Sequence, residues 1–148
     1  MGTAENKNAI DQFNAVLDGG NINELDRLCT PDFVNHALTP GRHDLQRTKD
    51  FLSQGVAAAA GGRRDPHRSR WLERRVVAEG DLLVEYGRRE GNWPGGTFRG
   101  VEIPPGSYTR EVAFMYRFVD GRIAERWAVR DDLGMMIQLG AIPAVRPT

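Results

Sequence analysis

Two strand-like runs, "SYTREVAFMYRFV" and "RIAERWAVR", joined at Asp120-Gly121, constrain this chain more than any other feature. Long β-rich runs on either side of an Asp-Gly pair read as an antiparallel hairpin. Its turn decides which side chains share a face, because a one-residue slip exchanges the two faces. A two-residue type I′ turn pairs Val119 with Arg122 and puts Phe114 on the face of Trp127. A three-residue Val-Asp-Gly loop closed by a left-handed glycine pairs Phe118 with Arg122 and Phe114 with Arg126. In that second register one face carries Val112, Phe114, Tyr116, Phe118, Ala124, Arg126, Ala128 and Arg130. The other carries Met115, Arg117, Ile123, Glu125, Trp127 and Val129. Neither face is simply polar, so one is expected to line an internal cavity and the other to meet a helix or a second subunit. The expected assembly is a homodimer or homotetramer.

The remaining elements follow from periodicity and breakers. Ile10, Phe13, Val16 and Leu17 form an apolar stripe that predicts a helix from about Glu5 to Leu17, stopped by Gly19-Gly20. A short second helix is expected after Asn21, with Glu24 three positions on, Leu25 and Leu28 on its apolar side and Pro31 barring continuation. "DFVNHAL" reads as a short extended segment. A third helix fits Leu45 to Ala60 with Leu45, Phe51, Leu52 and Val56 inward, before "GGRRDP" breaks the pattern. "RSRWLERRVVAEG" and "DLLVEYGRRE" form a second hairpin at Glu79-Gly80-Asp81. Between the hairpins, the Gly- and Pro-rich stretch 91–106 reads as a mobile lid or as a loop holding a short strand of its own. A last helix runs from Asp131 or Asp132 to about Leu139. Three helices, four or more antiparallel strands and a final helix make an α+β plan with helices covering one side of a curved sheet. Such a plan leaves a cone-shaped cavity, the expected binding site.

Composition narrows the function classes. At 148 residues the chain suits a single domain spanning 1–148, able to bury roughly two-thirds of its unfolded surface. Lys plus Arg and Asp plus Glu both number 20, so no global field recruits nucleic acid or an anionic membrane. The arginines 63, 64, 68, 70, 74 and 75 lack interleaved stacking aromatics and read as a solvated strand edge. Cys29 is the only cysteine, which excludes an intrachain disulfide and suits the cytoplasm. "MGTAENKNAI" has no apolar core of signal-peptide length, and no run approaches the roughly 20 residues of a membrane span. A soluble protein is expected.

"RFVDGRIAERWAVRDDLGMMIQLG" resembles the C-terminal signature of the SnoaL-like polyketide cyclases, which share the nuclear transport factor 2-like fold with ketosteroid isomerases. "FVNHAL" and "EYGRREGNW" resemble that family's Asn-containing segment and middle strand, so the likeness spans most of the chain. The resemblance implies a cone-shaped α+β barrel whose curved antiparallel sheet has helices over its concave face. It also implies an intramolecular aldol ring closure on an aromatic polyketide ester, with no metal and no cofactor. The family's acid/base aspartate falls on Ala128, its accompanying histidine on Phe114 and a preceding glutamine on Val112, while Asn35 is retained. Of the two turns, only the three-residue loop puts Phe114 and Ala128 on one face, so the resemblance supports that register. An alanine cannot abstract a proton, and a positioned acid/base contributes typically about 10²–10⁴-fold to rate. Another residue must carry the chemistry, or the reaction differs.

Four residues are the catalytic candidates. Asn35 and His36 form a polar pair whose histidine can act near neutral pH. Arg126 can bind a carboxylate or stabilise an enolate, and Tyr116 can donate to an oxyanion. Substrate-binding candidates are Phe114, Ala128, Arg130, Val112, Tyr86 as a second phenol, and Trp93 as a lid contact. Trp71 offers another stacking surface. Asp131 and Asp132 read as helix caps, Glu125 faces away from the pocket with Arg117 to neutralise it, and His43 and His67 read as exposed. The three histidines show no metal-ligand spacing. Cyclisation is the expected reaction. Hydroxylation, dehydration and epoxide opening are enzymatic alternatives, a binding protein for an aromatic intermediate is a non-catalytic one, and a protein-docking module using Met115 and Trp127 is a third.

Overall fold

The computed structural model describes residues 2–37, 43–60, 69–98 and 100–144, the side chains of 54–60 excepted. The elements run in the order expected. Helix α1 (Thr3–Leu17) is followed by a 3-10 turn (Ile22–Glu24), the short helix α2 (Leu25–Leu28) and strand β1 (Cys29–Asn35). Helix α3 (Leu45–Ala60) leads to β2 (Arg70–Glu79) and β3 (Leu82–Trp93). A small hairpin, β4 (Gly96–Phe98) and β5 (Val101–Ile103), precedes β6 (Gly106–Val119), β7 (Arg122–Arg130) and α4 (Asp132–Gln138). Five strands form one open curved sheet in the order β1-β7-β6-β3-β2.

The expected apolar stripe is what α1 buries. Ile10 and Phe13 are fully enclosed and Val16 nearly so. The chain then turns at Gly19, at φ 108°, and at Gly20, where a Cβ would meet the Ala15 carbonyl oxygen at 2.8 Å. Asn21 accepts from the backbone of Asn23, while Glu24 pairs with Arg27 at 2.7 Å instead of completing a capping box. Asp131 caps α4 by accepting from Gly134 N at 2.9 Å, the role its position suggests. Phe51 corrects the reading of α3: it is 52% exposed. Val56, the "GGRRDP" break, Arg63, Arg64, His67 and Arg68 lie outside the residues or side chains described.

One strand pairing departs from the all-antiparallel plan. β1 runs parallel to β7, with Asn35 level with Arg126. The first strand arrives from the helical layer, and α3 then carries the chain to the far edge of the sheet, so no hairpin constrains β1 to run antiparallel. As an edge strand it accommodates Pro31, which has no N–H to offer a neighbour.

The long hairpin combines features of both registers. Asp120 and Gly121 both take positive φ, 49° and 77°, as a two-residue type I′ turn requires, and Val119 pairs with Arg122. The register then slips. Phe118 faces Ile123, but Arg117 faces Glu125, so Ala124 is an extra residue in β7. Beyond this bulge Tyr116 pairs with Arg126, Phe114 with Ala128 and Val112 with Arg130. The turn is therefore not the three-residue loop, yet the face shared by Phe114, Arg126 and Ala128 is the one that loop predicts. Ile123 is the exception: expected on the opposite face, it is fully buried across from Phe118.

β2 carries a second slip. Trp71 pairs with Arg89 and Glu73 with Arg88, which makes Leu72 the extra residue and turns Trp71 toward the helices. Gly87 makes room there, because a Cβ on it would lie 2.1 Å from the Glu73 carbonyl oxygen. The stretch 91–106 contains short strands of its own, β4 and β5. Together with α4 they enclose a second core of Trp93, Ile103, Tyr108, Met135, Met136 and Leu139.

Candidate functional site

The sheet register sorts side chains into an inner face, covered by α1 and α2, and an outer face without a covering layer among the described residues. Inner-face positions include Arg74 on β2, Glu85 and Arg89 on β3, Val112, Phe114 and Tyr116 on β6, and Arg126, Ala128 and Arg130 on β7. β3 reverses what its composition suggests. Its apolar phase, Leu82, Val84 and Tyr86, points outward, while Glu85 points in and is fully buried.

Glu85 anchors a polar network inside the core. Its Oε1 accepts from the Tyr116 hydroxyl at 2.9 Å and from Asn14 Nδ2 at 3.3 Å. Its Oε2 accepts from the same Asn14 amide at 3.0 Å and from Arg74 Nε at 2.9 Å. Arg74 continues to Asp11 at 2.9 Å. Burial works against charge on Arg74, but hydrogen bonds and attraction from Glu85 and Asp11 raise its pKa. Burial pushes the Tyr116 phenol well above its ordinary range, so the neutral hydroxyl is the form present, and its proton is committed to Glu85.

Arg126 lies at the other end of this line. Its Nε donates to the Tyr116 oxygen at 3.3 Å, and the residue is only 5% exposed. The guanidinium carbon lies 4.6 Å from the Phe114 ring centre and 5.6 Å from that of Phe13. Its two Nη groups have no hydrogen-bond or ion-pair partner among the described residues. Buried guanidinium groups ordinarily have a carboxylate or carbonyl against them, because an uncompensated buried cation is costly.

Arg130 reaches the same Phe114 ring, at 5.4 Å, and donates to the Ala37 carbonyl at 3.0 Å. Arg89 lies 4.7 Å over Trp71, whose ring meets Phe114 edge-on at 6.0 Å. Burial lowers the pKa of Arg89, which donates to Ser69 at 2.6 and 2.9 Å. Trp71 Nε1 is buried without a partner. Cations and aromatic rings therefore alternate along the inner face, with Glu85 the buried carboxylate among them.

The structure gathers Asn35, Tyr116, Arg126, Phe114, Ala128, Arg130 and Val112 on this face and separates three other candidates. Asn35 is buried, but its side chain serves the backbone: Oδ1 accepts from Ala37 N at 2.9 Å, and Nδ2 donates to Thr48 at 3.4 Å. His36 lies on the outer face, stacked on Trp127 at 5.1 Å and bonded to Glu125 at 3.0 Å. Alternation along β1 accounts for this, since adjacent residues point to opposite faces. Tyr86 is 41% exposed on the outer face for the same reason. Trp93 belongs to the second core and donates its Nε1–H to Ile103 O at 3.1 Å, so it does not face Arg126. Glu125 pairs with Arg117 at 2.8 Å as its position suggests, and hydrogen bonds from His36 and Arg117 hold its carboxyl below the ordinary value.

Glu85, Asn14, Arg74 and Arg89 are the site residues that sequence reasoning missed. The available signal was a charge inside "LLVEYG", but the apolar phase of that strand pointed the other way. Among the described residues no group of three His, Cys, Asp or Glu side chains is placed to hold a metal ion. None of the described helices is long and apolar enough to cross a membrane.

The sequence profile of the SnoaL-like polyketide cyclases matches residues 7–139. The chain belongs to that family. Solved structures place this SnoaL-like protein in the nuclear transport factor 2-like fold. One is a SnoaL-like candidate polyketide cyclase from Jannaschia sp. CCS1, with TM-score 0.72 and 18% identity, covering 95% of this chain and 94% of that one. Another is an NTF2-like protein from Burkholderia xenovorans LB400, with TM-score 0.68 and 16% identity, covering 94% and 98%. A third is AclR, a candidate hydroxylase from Streptomyces galilaeus, with TM-score 0.67 and 18% identity, covering 98% and 87%. No curated protein matches the chain in sequence.

Proposed function

We propose that this SnoaL-like protein is a cofactor-independent enzyme that closes a ring, or carries out a closely related proton transfer, in an aromatic polyketide intermediate. The observation that carries this reading is the line Arg126–Tyr116–Glu85, in which a buried cation with unused donors adjoins a proton path to a buried carboxylate. With Ala128 at the position of the family's aspartate, this line does the work of the missing acid/base. Once the inner face opens to admit the substrate, the carbon next to its carbonyl gives its proton to Tyr116 Oη as the phenol passes its own to Glu85 Oε1. One Arg126 Nη group stabilises the enolate left behind. The enolate carbon then bonds to a second carbonyl carbon of the same molecule, and the resulting alkoxide recovers the proton through the same path. The product is an isomer of the substrate.

The rest of the reading concerns assembly and place. The outer face exposes Tyr86 and Val129, which flank Ala113 of β6 from the strands on either side, and this apolar stretch supports a homodimer formed by this face. Cys29, a buried free thiol, suits the reducing cytoplasm. The role fits aromatic antibiotic biosynthesis.

Mass-resolved product analysis tests the reaction. Purified protein is incubated with a tricyclic polyketide acid and its methyl ester, with and without oxygen, against a control without enzyme. An isomer of unchanged mass formed without oxygen is the expected result. Added oxygen would move the assignment to hydroxylation, and lost water to dehydration. Saturable binding without product would favour a second reading, a carrier of the intermediate. One observation supports that reading: the hydrogen bonds of Asn14, Arg74 and Tyr116 already occupy Glu85.

A further inference from the structure

The inner face has an unusual charge balance. In β7, alternate residues Arg126, Ala128 and Arg130 point inward, which spaces the two arginine backbones about 13 Å apart along the strand with the Ala128 methyl group midway between them. Both guanidinium groups lean over the ring of Phe114, at 4.6 and 5.4 Å, and Phe114 is the residue directly across from Ala128. For the buried Arg126 the aromatic face compensates only part of the cost of desolvating the cation. The buried carboxylate Glu85 reaches Arg126 only through the Tyr116 hydroxyl and spends its lone pairs on Tyr116, Asn14 and Arg74. The Nη groups of Arg126 stay unused.

A second, independent donor lies in the same cluster. Trp71 Nε1 is buried without an acceptor, and its ring is packed edge-on to Phe114 beneath Arg89. Native proteins rarely leave such a group unpaired, and it belongs to the same cluster as Arg126, since both pack on the Phe114 ring. The Nη groups of Arg126 lack an acceptor, and an anionic ligand supplies one. Ala128 and Trp71 are only half-buried, so this edge of the cluster reaches the surface of the described chain.

We propose that the ligand of this site is a fused-ring aromatic acid, bound as its anion with the carboxylate between Arg126 and Arg130 above Ala128 and the rings against Phe114 and Trp71. The ligand supplies the negative charge that position 128 lacks, so the free acid is selected over its ester. This rests on the inner face being the substrate site, as argued above, but not on turnover.

Equilibrium binding of anthracene-2-carboxylate and its methyl ester, by calorimetry at neutral pH, tests it. The wild-type protein should bind the acid at least about tenfold more tightly than the ester, as a charge-assisted pair implies. Arg126→Gln should remove most of that preference and leave ester affinity within about twofold. Ala128→Asp should do the same by placing a carboxylate of the protein between the guanidinium groups. Equal affinity for acid and ester, binding of neither, or an acid preference that survives Ala128→Asp would overturn the proposal. The wild-type comparison decides the matter even where a variant does not fold. Acid-selective binding here, together with no product from the tricyclic polyketide acid or its ester, would instead refute the enzymatic reading and leave this one standing.

Discussion

Tyr116 donates to Glu85 Oε1 at 2.9 Å across neighbouring strands, and neither side chain has any exposure to solvent. That bond joins the two halves of the inner-face network, with Arg126 on one side and Asn14 with Arg74 on the other. Tyr116→Phe keeps the edge-on packing with Phe13, at 5.9 Å, and removes only the hydroxyl. The loss leaves Glu85 one donor short and Arg126 Nε without an acceptor, so stability should fall by about 1–3 kcal/mol. Urea unfolding measures this directly; an unchanged midpoint would show that the network contributes nothing. Turnover, where the proton path operates, should drop by about 10²-fold or more.

Gly87 holds the bulge that turns Trp71 inward. At φ 152°, with the Glu73 carbonyl oxygen 2.1 Å from where a Cβ would sit, alanine requires a backbone shift of β2. Gly87→Ala should cost at least about 2 kcal/mol and alter the near-ultraviolet circular dichroism of Trp71. A variant as stable as the parent, with an unaltered tryptophan signal, would show that the bulge tolerates a side chain.

Burial raises the Cys29 thiol from an ordinary 9.0 to about 12, and Tyr116 is shifted in the same direction. Above pH 9 the unfolded chain loses the thiol proton while the folded chain keeps it, so the unfolded state gains. The contribution of Cys29 is therefore complete below pH 9 and lost as pH rises toward about 12. Thermal midpoints should decline across that window, and Cys29→Ala should soften the decline. At neutral pH the native thiol should resist alkylation and react once guanidinium unfolds the chain. Rapid labelling of native protein would contradict the burial.

Val129 is 64% exposed in the middle of the outer face, two residues from Trp127. Val129→Lys should convert the proposed homodimer to monomer in sedimentation velocity without changing the affinity of the inner face for its ligand. Parent protein that sediments as a monomer at all concentrations would remove the dimer. His36→Ala, on the same outer face, should likewise leave product formation intact, because the imidazole is bonded to Glu125 and stacked on Trp127.

Much of this molecule is local and therefore legible in the residues. Apolar spacing defined α1 and α3, Asp131 declared itself as a cap, and Asp120-Gly121 required a turn with positive φ. The "DDLG...QLG" ending and the segments before it were enough to indicate the family. Phe114 and Tyr116 were recognisable as one face because alternation is a property of any extended chain, and the family resemblance brought Arg126 to that face.

What local chemistry could not determine was which phase of each strand looks inward. Two single-residue bulges, at Leu72 and Ala124, exchange the faces of β2 and β7, and nothing in Leu72 or Ala124 marks them as extra. A bulge arises where neighbouring strands twist and pack, so it depends on partners distant in the chain. The same holds for β3, where Leu82, Val84 and Tyr86 face out while Glu85 turns inward beside Leu83 to meet Asn14, Arg74 and Tyr116. His36 and Tyr86 were assigned to the site on residue type alone, and alternation carried both to the other side of the sheet. The sequence by itself determined the main elements, where the chain turns between them, and the family. Only the tertiary structure decided which charges are buried together, because that depends on a register set by the whole sheet.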